Sequence, residues 1–299
     1  MIARCRLSTD YRTALETACY CARLDCVKLL AESVRQRNAG RVSDFINQQS
    51  GRGRTALFRA CAFCSTACAA QLLELKAQPD LVDKEGYTAL MVACNLQSPR
   101  VANHRLVTLL LAADANPDKA LRATGETPLM MAAANGHVKA LTELIAAGAS
   151  LDVADLRLQQ SALLRGCCRP DGDIVRKLLL EGARYDVCDA EGRSTLHLAA
   201  LNGCHDVLNV LLASRLDLVA GLVNRPTNDG LTPLMLAVKY GWWRCVRTLV
   251  HCADTDLDAK DLGGNTAHDL AGVAEEFDCL KEIEHGIENR RQHDAGSPK

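Results

Sequence analysis

The chain has 299 residues, 48% of them apolar and only 4% aromatic, with a formal net charge of −1. No window approaches the roughly 18 uninterrupted apolar residues that a membrane-crossing helix needs. The start, Met1 to Asp10, carries Arg4 and Arg6 and lacks the apolar run of a secretory signal.

One unit recurs along almost the whole chain. Its clearest copy is TGETPLMMAAANGHVKALTELIAAGASLD, Thr124 to Asp152. The residue that opens its T-P-L block falls at Thr13, Thr55, Thr88, Thr127, Ser161, Ser194, Thr232 and Thr266, with spacings of 42, 33, 39, 34, 33, 38 and 34. Two positions on stand Leu15, Leu57, Leu90, Leu129, Leu163, Leu196 and Leu234, with His268 in the eighth copy. Five positions on stand Ala18, Ala60, Ala93, Ala132, Gly166, Ala199, Ala237 and Ala271, small enough for two backbones to approach closely. A second apolar cluster follows, as at Leu72-Leu73, Leu144-Ile145 and Leu211-Leu212. Each unit therefore reads as a short helix, a turn and a second helix, with Asn135-Gly136, Asn202-Gly203 and Tyr240-Gly241 at the inner turn.

The T-P-L-x-x-A block, the N-G-H turn, the L-L pair and the G-A close resemble the ankyrin repeat, over roughly residues 8 to 284. The resemblance implies an all-α solenoid of about seven to eight helix-turn-helix units with hairpin connections. In that fold the hairpin tips and first helices line a concave face that binds other proteins. The expected organisation is one repeat domain, 1–284, with openings near 11, 53, 86, 125, 159, 192, 230 and 264. Residues 285–299 are expected to form a charged, disordered tail.

In chain order, residues 1–59 hold eleven lysines and arginines against five acids, a basic end of +6. The end lacks interleaved aromatics, which argues against single-stranded nucleic acid and for a solvated cap. The first extra segment, Ala31 to Arg52, reads as a polar surface loop. Further insertions fall within Gln97 to His104 and Ser214 to Asn228.

Fifteen cysteines follow the repeat. Cys19, Cys61, Cys94 and Cys167 take a position that Ala133 and Ala200 fill elsewhere, so they read as small buried apolar groups in a reducing compartment, cytoplasm or nucleus. Cys61, Cys64 and Cys68 have spacings that put them on one helix face, if the helix runs that far. They leave open a zinc- or thiol-responsive sensor.

Three positions after the opening residue, ankyrin repeats commonly place histidine, and only His197 keeps it here. Glu16, Phe58, Met91, Met130, Leu164, Met235 and Asp269 stand in the other copies. Either these residues pack between repeats, or Phe58, Met91, Met130 and Met235 form a semi-exposed apolar stripe for a partner segment. Tyr87, Arg193 and Leu231 take the variable slot before the opening residue, where the resemblance implies partner contact. Trp242 takes the position of His137, either packed or an exposed anchor.

No phosphate-binding glycine loop and no G-x-S-x-G elbow occurs, and the repeat already explains Ser194 with His197. The expectation is a monomeric, non-enzymatic module or scaffold, without cofactor, metal or small-molecule substrate, whose partners are proteins. A regulatory adaptor for a modifying enzyme, or an inhibitor masking a transcription factor, is the alternative; no adaptor box is visible at either end.

Overall fold

The computed structural model describes residues 13–96, 102–214 and 221–296. Its helices are α1 (Ala14–Tyr20), α2 (Leu24–Arg37), α3 (Val42–Ile46), α4 (Ala56–Ala62), α5 (Thr66–Glu74), α6 (Ala89–Asn95), α7 (Ala102–Leu111), α8 (Pro128–Asn135) and α9 (Val138–Ala146). They continue as α10 (Ala162–Gly166), α11 (Asp173–Leu180), α12 (Thr195–Leu201), α13 (His205–Ser214), α14 (Pro233–Lys239), α15 (Trp243–Val250), α16 (Ala267–Val273) and α17 (Phe277–Gly296). Among the described residues the sole extended pairing is one isolated bridge, Cys188 with Ser194, so the fold is all-α as the repeat implies. None of the described helices is long and apolar enough to cross a membrane.

The opening residue of each copy caps its first helix. Thr55, Thr88, Thr127, Ser161, Thr232 and Thr266 accept the N–H three residues on, at 3.1, 3.2, 3.4, 3.4, 3.3 and 3.2 Å. The hydroxyl thereby satisfies a donor that the helix itself leaves open. Pro128 and Pro233 add a preset φ at the first helical position. The leucines two positions on, from Leu15 to Leu234, are all buried. Gly166 shows why that slot stays small: a Cβ there would lie 2.8 Å from Ile174 Cγ2.

The chain divides into two compact units, 1–156 and 157–299. In the first, α1, α4, α6 and α8 stack in one row and α2, α5, α7 and α9 in a second. In the second, α10, α12, α14 and α16 stack, backed by α11, α13, α15 and α17. Each row buries an aliphatic stripe that a lone helix pair would leave wet.

Three expectations need correction. The segment Ala31 to Arg52 is no plain loop: α2 runs on to Arg37, and α3 buries Ile46. Asn47 Oδ1 and Gln49 Nε2 then tie the segment to the next copy, through Gln78 N–H and the Val82 carbonyl, both at 2.8 Å. The tail from 285 continues α17, where Gly286 lies close against Val250. Arg290 donates to the carbonyls of Val250, Cys252 and Thr255, closing the C-terminal end of α15. Finally, α4 ends at Ala62, and Cys64 occupies a left-handed turn at φ 57°, so Cys61, Cys64 and Cys68 do not share a helix face. Gly136, Gly203 and Gly241 hold the same turn slot in other copies. Of the insertions within Gln97 to His104 and Ser214 to Asn228, residues 97–101 and 215–220 lie outside the described residues.

Gln159 also sits at positive φ, 56°, two residues before Ser161, where Gly53, Gly86, Gly125, Gly192, Gly230 and Gly264 stand in the other copies. A side chain in that region costs about 1 kcal/mol relative to glycine. Gln159→Gly is therefore expected to raise the melting temperature by about 2–4 °C. A calorimetric scan showing an unchanged or lower value would mean the glutamine side chain contributes more than its backbone strain removes.

Candidate functional site

Four of the hairpin tips are built from a residue five positions before the opening threonine or serine. Asp83, Asp189, Thr227 and Asp261 use a side-chain oxygen to accept the N–H of Tyr87, Arg193, Leu231 and Asn265, at 3.0, 2.9, 3.2 and 2.8 Å. The backbone bond runs the other way, from the N–H of each of those four residues to the carbonyl of its partner, at 2.9 to 3.0 Å. Each tip is thus pinned twice, and the expected contact residues Tyr87, Arg193 and Leu231 are half-buried at the base of a fixed turn.

Their side chains differ in freedom. Arg193 is held by Asp189 at 2.8 Å and Glu191 at 2.6 Å, so its charge is matched within its own hairpin. Asp189 is buried and also accepts from Gln160 at 3.2 Å. In the first unit Asp83 pairs with Arg54 at 3.2 Å, and the Arg54 guanidinium lies 5.1 Å over the Phe58 ring. Burial, with Glu126, Glu85 and Asp83 nearby, pushes the Tyr87 phenol above its ordinary pKa. It stays a neutral donor.

The apolar stripe is not a surface. Phe58, Met91, Met130 and Met235 are 5, 0, 1 and 0% exposed, so they pack between helices and no partner reaches them in this state. The physical reason is visible at the backbone. In five copies the residue three positions into the first helix turns back to the opening N–H: Glu16 Oε2 accepts from Thr13 at 2.9 Å, and Asp269 Oδ2 from Thr266 at 2.9 Å. Met91 and Met235 do the same with sulfur, at 3.5 and 3.4 Å. His197 Nδ1 does it for Ser194 at 3.2 Å, and its Nε2 donates to the Leu231 carbonyl at 3.1 Å, linking α12 to the next tip.

Trp242 is both packed and exposed. Its indole covers Gly203, where a Cβ would meet the ring at 2.6 Å. Its Nε1–H donates to the Leu201 carbonyl at 2.9 Å, as His137 Nε2 does to the Leu96 carbonyl at 2.6 Å. The ring keeps 42% exposure.

Cys19, Cys61, Cys94 and Cys167 are buried free thiols. Burial pushes all four well above the ordinary thiol range. A protonated, inaccessible thiol is a poor nucleophile and a poor metal ligand. Among the described residues no three histidine, cysteine, aspartate or glutamate side chains converge on a point that could hold a metal ion.

Sequence reasoning missed the acceptor five residues before each opening position, although Asp83, Asp189, Thr227 and Asp261 recur at that offset. It also missed the Tyr20–Phe63 edge-to-face pair, with centroids 4.5 Å apart and both rings exposed. No period announces that pair.

The family model described as ankyrin repeats matches residues 38–103, 71–155, 100–186 and 163–261. The chain is 32% identical over 160 residues to the rat nuclear factor NF-kappa-B p105 subunit, covering 52% of this chain and 16% of that protein. It is 32% identical over 167 residues to the mouse B-cell lymphoma 3 protein homolog, covering 56% and 36%. It is 31% identical over 200 residues to human ankyrin repeat and SOCS box protein 16, covering 62% and 41%. The chain thus spans less than half the length of each of these relatives.

His197 generates a pH prediction. Burial pulls its pKa down from 6.5 to about 4, opposed by hydrogen bonds to the carbonyls of Leu231 and Arg225. The folded chain keeps the imidazole neutral, while the unfolded chain protonates it below pH 6.5. Between pH 6.5 and 4 the unfolded state binds more protons, so stability falls as pH falls through that window. At pH 5 the loss amounts to about 2 kcal/mol. His197→Gln is expected to be less stable at pH 7 yet to lose less between pH 7 and pH 5. Parallel stability–pH curves would contradict this.

Proposed function

The chain belongs to the ankyrin repeat family, and on that premise we propose that it is a non-enzymatic protein-interaction module. It holds a partner protein on its hairpin tips and the neighbouring ends of its first helices. The observation that carries this reading is the double pinning of the tips. A turn whose side chains are fixed before binding loses less conformational entropy on association. The interior is taken up by stacking, which leaves Tyr87, Arg193, Leu231 and the exposed edge of Trp242 as the contacts. Of these, Tyr87 and Leu231 have the freer side chains, whereas Arg193 and Trp242 also hold their own repeats together.

Free thiols throughout the described chain suit a reducing compartment, cytoplasm or nucleus. A regulatory form of the same reading, adaptor or inhibitor, draws support from the relatives: one is named for a SOCS box beside its ankyrin repeats, another as a nuclear factor subunit. A thiol- or zinc-responsive role has less to stand on, because Cys61 and Cys68 are buried in two different helices, α4 and α5, and Cys64 sits in the left-handed turn between them.

The test is affinity capture with wild type beside Tyr87→Glu and Leu231→Glu, each checked for unchanged helicity. A partner held through the tips should be lost by about tenfold or more, the size of a contact hot spot. Identical captures from all three proteins would remove the tips from the interface.

A further inference from the structure

The second unit carries a surface that the stacking and the tips leave unused. It lies at the inner turns, KYGWWR at 239–244 between α14 and α15, and VAEEFD at 273–278 between α16 and α17. Because α14 packs on α16 and α15 on α17, the two turns lie side by side. Tyr240, Trp243, Val273 and Phe277 are 51, 38, 84 and 68% exposed, a dense apolar group for a chain so poor in aromatics.

The charges around this group are segregated. The first turn holds Lys239 and Arg244 and no acid, with the Arg244 guanidinium 5.3 Å over the Trp243 ring. The second holds Glu275, Glu276 and Asp278 and no base. Glu276 is half-buried, its carboxylate packed within 3 Å of where a Gly241 Cβ would sit. Lys239, Arg244, Glu275 and Asp278 are exposed, and Lys281 lies 3.9 Å from Asp278.

A patch with an apolar centre, a basic turn on one side and an acidic turn on the other is complementary to itself. A two-fold rotation brings the basic turn of one copy onto the acidic turn of the other, and each contact occurs twice. We propose that this face pairs two copies of the chain, burying Tyr240, Trp243, Val273 and Phe277 and matching Lys239 and Arg244 with Glu275 and Asp278 of the second copy. The pairing replaces the monomer expected from sequence. It leaves the hairpin tips free and does not rest on their proposed role. A patch this small falls in the range below roughly 1,200 Å² of buried surface, where complexes are weak and transient, so micromolar or weaker association follows.

Sedimentation equilibrium of the full chain, from about 1 μM to about 500 μM, brackets that affinity. The wild type is expected to pass reversibly from monomer to dimer, with a matching shift in fluorescence, since Trp242 and Trp243 are the only tryptophans. The doubly reversed chains, Lys239→Glu with Arg244→Glu and Glu275→Lys with Asp278→Lys, should each be monomeric alone. Mixed in equal amounts, they should dimerise. Phe277→Glu should weaken association by at least about tenfold at unchanged helicity. A wild type that stays monomeric across the range overturns the proposal, and so does a dimer that persists in both reversed chains.

Discussion

The structure depends on one small closure that five copies make, the return of the third side chain of the first helix to the amide that opens it. A threonine or serine hydroxyl caps the helix from one side. A carboxylate, thioether or imidazole accepts the opening N–H from the other. At Glu16, Met91, His197 and Met235 the side chain that closes is buried, while Asp269 in the last copy is exposed. Glutamate at 16, methionine at 91 and 235, histidine at 197 and aspartate at 269 differ in charge and size but share an acceptor atom at the right reach. At 16 the added charge is met by Arg59, whose Nε lies 3.5 Å from Glu16 Oε1, a buried pair between stacked helices.

Much of this fold is legible in the sequence because stacking imposes a period. Leucines that must be buried, small residues that let helices approach, and glycines at left-handed turns recur at fixed offsets, and the structure puts Leu57, Ala132 and Gly203 where the period requires. What escaped has no period or shares its pattern with something else. A methionine at the histidine position looks the same in sequence whether it faces a partner or a sulfur-accepting cap, and only burial separates the two. Cys61, Cys64 and Cys68 carry helical spacing, yet Cys64 is the αL residue that ends the helix. The charged stretch 285–299 reads as a tail, but Gly286 and Arg290 give α17 a reason to stay on α15. The tips were half legible: their variable slot was read from the resemblance, whereas the pinning oxygen five residues before each opening needed geometry to be seen.

The same constraint divides the surface. Residues that complete the stack are withdrawn from recognition, or share it, as Trp242 does by clamping Leu201 while keeping one edge in solvent. What remains falls into two kinds. The hairpin tips are rigid and varied in chemistry, suited to a partner protein. The inner turns at 239–244 and 273–278 are apolar and oppositely charged, suited to a second copy. The two need not compete at Tyr87, Arg193 and Leu231, since tips and turns lie at opposite ends of the first helices; Trp242, on an inner turn, is common to both.

The central claim is that the third position of the first helices is interior in every copy before the last, and the most direct test is the thermal unfolding of Met130→Glu followed by circular dichroism. A carboxylate at a site 1% exposed should cost about 3 kcal/mol and lower the melting temperature by about 6–12 °C. An unchanged melting temperature would contradict the account, and would return Met130 to the surface as a candidate contact.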